Sequence, residues 1–371
     1  MDIQSKKIVV KIGSSVIVDG DKIDRRCLAN LVKDIAYLIK EKNKDVVIVS
    51  SGAVACGIFS VGLKEVPVDI VKRQAFASIG QVELMKLYQE MFCSHNLRVS
   101  QILITADDIY NRRRYLNARN TISLLLSWNI VPVVNENDTV VIKELKFGDN
   151  DNLSSYVTDL VGADTLIILT DVDGLFTADP KKKSARFLPL VEFSQKEEVE
   201  RFAFGSMRFG CGGMKSKVEI GFRMAEEGKM TIIANGKEEN ILRKILNGEA
   251  RCTIFIPEKS NLTSKKVWLK TTLRKGKVFI DGGAREAICE KGKSLLPSGI
   301  EKIEGVFERG DIVDIVCNGK VIARGIANYN SQEIEMIKGL QSKEIESVIG
   351  YKYSDDVVHR NNMVLIGEKN A

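Results

Sequence analysis

The chain has 371 residues, 44% of them hydrophobic and 28% charged, a globular composition with room for two or three domains. No apolar run is long enough to span a membrane, and a net charge of +6 suits anionic ligands without demanding nucleic acid. Seven cysteines without a CxxC pair, only two histidines (His95 and His359) and an N-terminus without a signal-peptide layout argue against a disulfide framework, a zinc site or a histidine triad; the expected setting is cytoplasmic.

Lys7 to Ile12 reads as a buried strand ending in Gly13-Ser14-Ser15. Asp24 is placed to cap a helix that carries Leu28, Leu31, Val32, Ile35, Leu38 and Ile39 at helical spacing. Val46 to Val49 is apolar on both faces, as a covered parallel strand must be, and runs into Ser50-Ser51-Gly52-Ala53. A mostly helical stretch follows from about Asp69 to Ser94, then a strand over Val99 to Ile104 and a helix over Tyr115 to Ser127. Ile130 to Val134 is a fourth strand, ending in Asn135-Glu136-Asn137-Asp138. After Phe147-Gly148-Asp149-Asn150-Asp151-Asn152 an amphipathic helix begins at Leu153 and reaches about Gly162; Thr165 to Leu169 is a fifth strand, ending in Thr170-Asp171-Val172-Asp173-Gly174. A glycine-rich stretch over 205–217 precedes another helix, and Met230 to Ala234 is a further strand.

This alternation predicts an α/β fold with a doubly wound, mainly parallel sheet. The polar clusters follow the first, second, fourth and fifth strands, so they gather along one edge of the sheet, where such folds bind ligands. The polar segment from Arg251 to Lys266 reads as a linker. From about Leu273, short β runs separated by turns such as Asp281-Gly282-Gly283-Ala284 predict a small β-rich domain. The expected division is 1–255, a linker at 256–272, a β-rich domain at 273–351 and a tail at 352–371 that carries no clear signal.

Three pieces bear on chemistry. Phe147 to Asn152 packs two carboxylates and two carboxamides into four consecutive positions, which suits a helix cap, a metal loop or part of an active site. Calcium of the EF-hand type is disfavoured, because Leu160 stands where the twelfth-position glutamate belongs. Gly210, Gly212 and Gly213, ahead of Lys215 and Lys217, suit either phosphate binding at a helix N-terminus or a flexible surface loop; neither a Walker A loop nor GxGxxG is present. Lys11 either meets a phosphoryl group at the strand exit or extends its ammonium past the sheet edge to water. An aspartate between two lysines would orient both ammonium groups. Together these pieces suggest phosphoryl transfer, which rests on positioning and charge neutralisation and needs no histidine base.

The ordered set Lys11-Ile12-Gly13-Ser14-Ser15, Ser50 to Ala53, Asn135 to Asp138, Phe147 to Leu153, Thr170 to Leu175, Thr177-Ala178-Asp179-Pro180 and Gly210 to Lys217 resembles the amino acid kinase family, and within it the branch that phosphorylates glutamate. Sister kinases acting on acetylglutamate, aspartate or UMP do not share this combination. The resemblance covers about the first 255 residues, and residues 273–351 are similar to a PUA domain. It implies ATP-dependent phosphorylation of the side-chain carboxylate of L-glutamate, the first step of proline synthesis, with Mg²⁺, inhibition by proline and assembly as a homo-oligomer, a dimer or tetramer. By position, Lys11 and Lys217 would stabilise the transferring phosphoryl group and Asp151 would hold both lysines. Ser51, Asp138 and Asn150 would bind glutamate. Lys11, Thr170, Asp171, Cys211, Gly212, Gly213, Met214, Lys215, Ser216 and Lys217 would bind ATP; Ser216 stands where the family often has threonine. The metal ligands are not read. PUA domains also occur in RNA-binding proteins, but Leu273 to Gly350 carries 12 basic and 12 acidic residues, so nucleic acid is not an expected partner.

Overall fold

The computed structural model describes residues 5–63, 69–141, 149–182, 184–203, 213–257 and 274–366. Eight strands form the main sheet: β1 (Lys7–Ile12), β2 (Asp45–Ser50), β3 (Arg98–Ile104), β4 (Ile130–Glu136), β5 (Thr165–Thr170), β6 (Leu190–Val191), β7 (Met230–Asn235) and β8 (Cys252–Phe255). Their order across the sheet is β6-β8-β7-β5-β1-β2-β4-β3. Every pairing is parallel except that of β7 with β8. The register aligns Ile12 with Ser50 and Leu169, and Thr170 with Asn235, so the polar strand exits do share one edge.

Alternation along the central strands sorts the core into two layers. Ile8, Val10 and Ile12 of β1, with Val46 and Ile48 of β2, face the helices Arg25–Lys40 (α1) and Ile70–Cys93 (α3). Val9 of β1, with Val47 and Val49 of β2, faces the helices Asn150–Val161 (α5) and Met214–Glu226 (α6), which contribute Leu153, Val157, Leu160, Val218 and Phe222. Lys11 falls on the Val9 side, beneath α5 and α6. The caps follow the sequence: Asp24 accepts from the Cys27 N–H, Asp69 from that of Lys72 and Asp149 from that of Asn152. Between α1 and α3 lies a short helix, α2 (Ala53–Ser60), to which the sequence reading assigned no element, and the helix expected from Tyr115 (α4, Arg112–Ser127) begins earlier because Asn111 caps it.

The crossing of α2 and α3 is a backbone contact. A Cβ added at Gly57 would lie 1.9 Å from the Phe76 carbonyl oxygen, and one at Gly80 would lie 1.8 Å from that of Ala53. Both positions therefore require glycine. Gly52, just before α2, has φ of 106°, which glycine adopts without strain.

Some expectations change. Cys252 to Phe255, inside the stretch read as a linker from Arg251, is a buried strand: its four residues complete the sheet against β7 and β6. Asp281-Gly282-Gly283-Ala284, read as a turn, opens a helix over Gly282–Cys289, with Asp281 as its cap. A second sheet, of five strands, forms the β-rich domain. Its last strand is Met363–Leu365, paired with Lys320–Ile326, so residues read as a signal-free tail belong to that domain. Val357, Val358 and Met363 lie in its core. The two parts touch: Ile312, Ile326 and Val364 pack with the α1 side of the main core, and the Tyr353 ring meets Arg186 at 4.1 Å and Arg309 at 3.7 Å.

Candidate active site

Lys11 leaves β1 one residue before the strand ends, on the face covered by α5 and α6. Each of those helices presents a charged residue from its first turn: Asp151 from α5 and Lys217 from α6. The three meet. Lys11 Nζ lies 2.7 Å from Asp151 Oδ1, and Lys217 Nζ donates to Asp151 Oδ2 at 2.8 Å, with the side chains 8%, 1% and 7% exposed respectively. Burial works to raise the Asp151 pKa, but the charges of Lys11 and Lys217 outweigh it and hold the carboxyl below its usual range. Burial lowers the Lys11 pKa; Asp151 opposes that shift and Lys217 adds to it. One negative charge therefore fixes two positive ones in a dry place, a surplus suited to an anion.

On one flank lies a chain of amides and hydroxyls. Asn150, next to Asp151 in the first turn of α5, donates from Nδ2 to Ser50 O at 3.1 Å, Ser51 Oγ at 3.1 Å and Asn135 Oδ1 at 2.9 Å. Asn135 donates in turn to Gln81 Oε1 at 2.9 Å, and Ser50 Oγ meets the buried Tyr88 hydroxyl at 2.8 Å. Asn135 and Glu136 are the last residues of β4, one turn of the pleat beyond the predicted strand end, and Asp138 is half-buried in the loop that follows. The other flank holds the strand exit of β5. The Thr170 hydroxyl donates to Asp171 Oδ1 at 3.1 Å and the Ser15 hydroxyl donates to the same oxygen at 3.3 Å. Asp171 is exposed. Ser216 reaches Asp151 Oδ2 at 3.4 Å, Gly213 is the N-cap of α6, Met214 packs beneath, and the exposed Lys215 pairs with Glu219 at 3.7 Å. Cys211 and Gly212 lie outside the described residues, as do Phe147, Gly148 and Gly210.

The structure thus brings Lys11, Asp151 and Lys217 into contact, and Ser51 with Asn150, while Asp149 caps its helix. Residues 6–235 match the amino acid kinase family and residues 276–349 match the PUA domain. The chain belongs to the amino acid kinase family. Curated relatives span it from end to end. The glutamate 5-kinase of Syntrophotalea carbinolica is 48% identical over 366 residues, covering 98% of each chain. That of Thermoanaerobacter pseudethanolicus is 43% identical over 369 residues, covering 98% of this chain and 99% of its own. Among solved structures, a carbamate kinase from Giardia lamblia bound to AMP-PNP covers 69% of this chain and 99% of its own at a TM-score of 0.50; at 17% identity it speaks for the fold of the kinase part alone.

For an amino acid kinase, sequence reasoning overlooked Gln81. The signal was present: Ala77, Gly80, Leu84 and Tyr88 form the apolar stripe of α3, and Gln81 is the polar residue on that stripe.

Proposed function

We propose that this kinase transfers the γ-phosphoryl group of ATP to the side-chain carboxylate of L-glutamate, giving L-glutamyl 5-phosphate and ADP, as the first step of proline synthesis. The observation that carries the reading is the buried Asp151 carboxylate gripping Lys11 and Lys217 from two different elements. A glutamate oxygen attacks the γ-phosphorus, and the bond from that phosphorus to the bridging oxygen of ADP breaks. No general base is required, because a carboxyl group of pKa about 4.3 is already ionised at neutral pH. Lys11 neutralises charge on the oxygens of the moving phosphoryl group and Lys217 on the leaving side. Ser51, Asp138 and Asn150 hold glutamate; Thr170, Asp171 and the 211–217 segment hold the nucleotide.

Mg²⁺ accompanies the nucleotide. Among the described residues no group of three or more His, Cys, Asp or Glu side chains is arranged to hold a metal, and both Asp151 oxygens face lysines. Such an ion would be bound chiefly by phosphate oxygens and water. Proline as a feedback inhibitor, assembly into a dimer or tetramer, a cytoplasmic location and a division into kinase and PUA-like parts around residues 256–272 complete the proposal. Among the described residues no helix is long and apolar enough to cross a membrane.

The test is glutamate-dependent ATP turnover, with the acyl phosphate trapped by hydroxylamine, with and without proline. Turnover with N-acetylglutamate or aspartate but not with glutamate would overturn the substrate assignment.

A further inference from the structure

Gln81 is 8% exposed on the apolar stripe of α3, and its Nε2 has no partner among the described residues. Burying an unpaired amide donor costs about 1–3 kcal/mol, so a methionine or leucine would serve the core better. What the amide provides is its oxygen, which accepts from Asn135 Nδ2 at 2.9 Å. The α2–α3 crossing puts it there: Gly80, the preceding residue, lies against the Ala53 backbone next to the Ser51–Gly52 turn.

The direction of the whole chain follows from its two unambiguous ends. The Glu136 N–H can only donate, so the Asn135 atom it meets at 2.9 Å is oxygen, and the atom facing Gln81 is nitrogen. Ser50 O can only accept, so the Asn150 atom 3.1 Å from it is nitrogen. That nitrogen has two hydrogens and three protein acceptors around it, in Ser50, Ser51 and Asn135. Its donors are committed to the protein. The Asn150 oxygen is the part left for a ligand, and an oxygen selects a donor.

We infer that Gln81 is a positioning residue that acts through Asn135 to turn the Asn150 carbonyl oxygen toward the α-ammonium group of the amino-acid acceptor. The inference rests on the glutamate-kinase reading of the site. Without the Gln81 oxygen, the Asn135 amide is held only by the Glu136 N–H, so its oxygen is less firmly fixed as one of the three acceptors, beside Ser50 and Ser51, that keep the Asn150 nitrogen turned inward. The effect falls on recognition of the amino group and spares the nucleotide.

The experiment uses the full chain with Gln81→Met and Gln81→Leu, both close to glutamine in volume. The expected result is a rise in KM for glutamate of roughly 5- to 10-fold, the worth of one hydrogen bond. KM for ATP should stay within about twofold, and the inhibition constant of glutarate, which has the carboxylates but no amine, should not change. The thermal midpoint should change little, since the unpaired Gln81 donor is removed while the buried Asn135 amide loses its acceptor. An unchanged KM for glutamate overturns the inference, and so does a parallel rise in the ATP and glutarate constants, which would mark a packing defect. If wild type phosphorylates another amino acid in place of glutamate, the substrate assignment falls and Gln81 is judged by the same split on that acceptor. If no amino-acid acceptor works, both fall.

Discussion

Two carboxylates in this molecule are buried to the same extent and do opposite things. Asp34 and Asp151 are each 1% exposed. Asp34 lies on α1, on the opposite side of the sheet from Asp151; it accepts from the Leu242 N–H at 3.0 Å and pairs with Arg243 at 2.9 Å, tying down the start of the Ile241–Asn247 helix. Burial raises its pKa despite those partners. Asp151 has two lysines in contact and its pKa is lowered. Burial is therefore no mark of a site. A carboxylate that fixes more positive charge than it carries leaves some for a ligand, whereas one that meets a single cation and a backbone N–H is locally spent.

The comparison can be broken at either end. Asp151→Ala and Lys217→Ala are expected to lower kcat per folded molecule by about 100- to 1,000-fold or more, read by steady-state kinetics beside circular dichroism, and Asp151→Ala should also lose stability because two buried lysines lose their shared carboxylate. Near-wild-type rates in either variant would remove the assigned roles. Asp34→Ala should leave kcat per folded molecule unchanged and cost about 1–3 kcal/mol in denaturant unfolding, because the Leu242 N–H loses its acceptor while the partly exposed Arg243 keeps Lys33 O and the Tyr37 ring. The smaller change Asp34→Asn keeps an acceptor for Leu242 and should shift stability by about 1 kcal/mol or less.

The pH dependence sharpens the same contrast. The Asp151 pKa is lower in the fold than its ordinary 3.8, so its contribution is fully present above that value and is lost as pH falls from there through the lower folded-state pKa. The Asp34 pKa is raised, so its contribution has the opposite sign and declines as pH rises above 3.8. In Asp151→Asn the one influence that raises the Lys11 pKa most is gone, leaving burial and Lys217 to lower it. The native state then releases the Lys11 proton at a pH further below 10.5 than in wild type, so stability should climb more steeply as pH rises toward 10.5.

Two weaker effects complete the series. A chain ending near Lys265 is expected to keep glutamate-dependent turnover but to melt a few degrees lower, at roughly 2–4 °C per kcal/mol of lost contact, because Ile312, Ile326, Val364 and the Tyr353 stack are removed. Among the cysteines of the described residues, thiol labelling at pH 8 should find Cys93 first, since it is exposed, whereas burial pushes Cys27 and Cys56 up to about 11 and Cys252 up to about 12.

The central strands and the lysine–aspartate–lysine cluster were legible because each has a local signature: apolar runs of strand length, and charges at element ends where the topology must bring them together. Other features had no such signature. Cys252 to Phe255 has four residues and a polar context, so only its place between β7 and β6 makes it a strand. The pair at Met363 to Leu365 depends on Lys320–Ile326, some forty residues earlier in the chain. Asp281-Gly282-Gly283 carries turn composition, yet its aspartate caps a helix whose inward residue, Ile288, supplies the stabilising contact. Gln81 was passed over because it sits in mid-helix, where polar residues are ordinarily read as surface.

The glycine crossing of α2 and α3 has a consequence for tolerance. Side chains that meet across an interface can rotate to absorb a neighbour's change, but at Gly57 and Gly80 the opposing atoms are backbone carbonyls, which have no rotamers to exchange. The distance between the Ser51 turn and the helix bearing Gln81 is thus set like a machined stop, by main chain on main chain. Every adjustment of the acceptor site by mutation has to be made on the far side of that stop, at the side chains it positions.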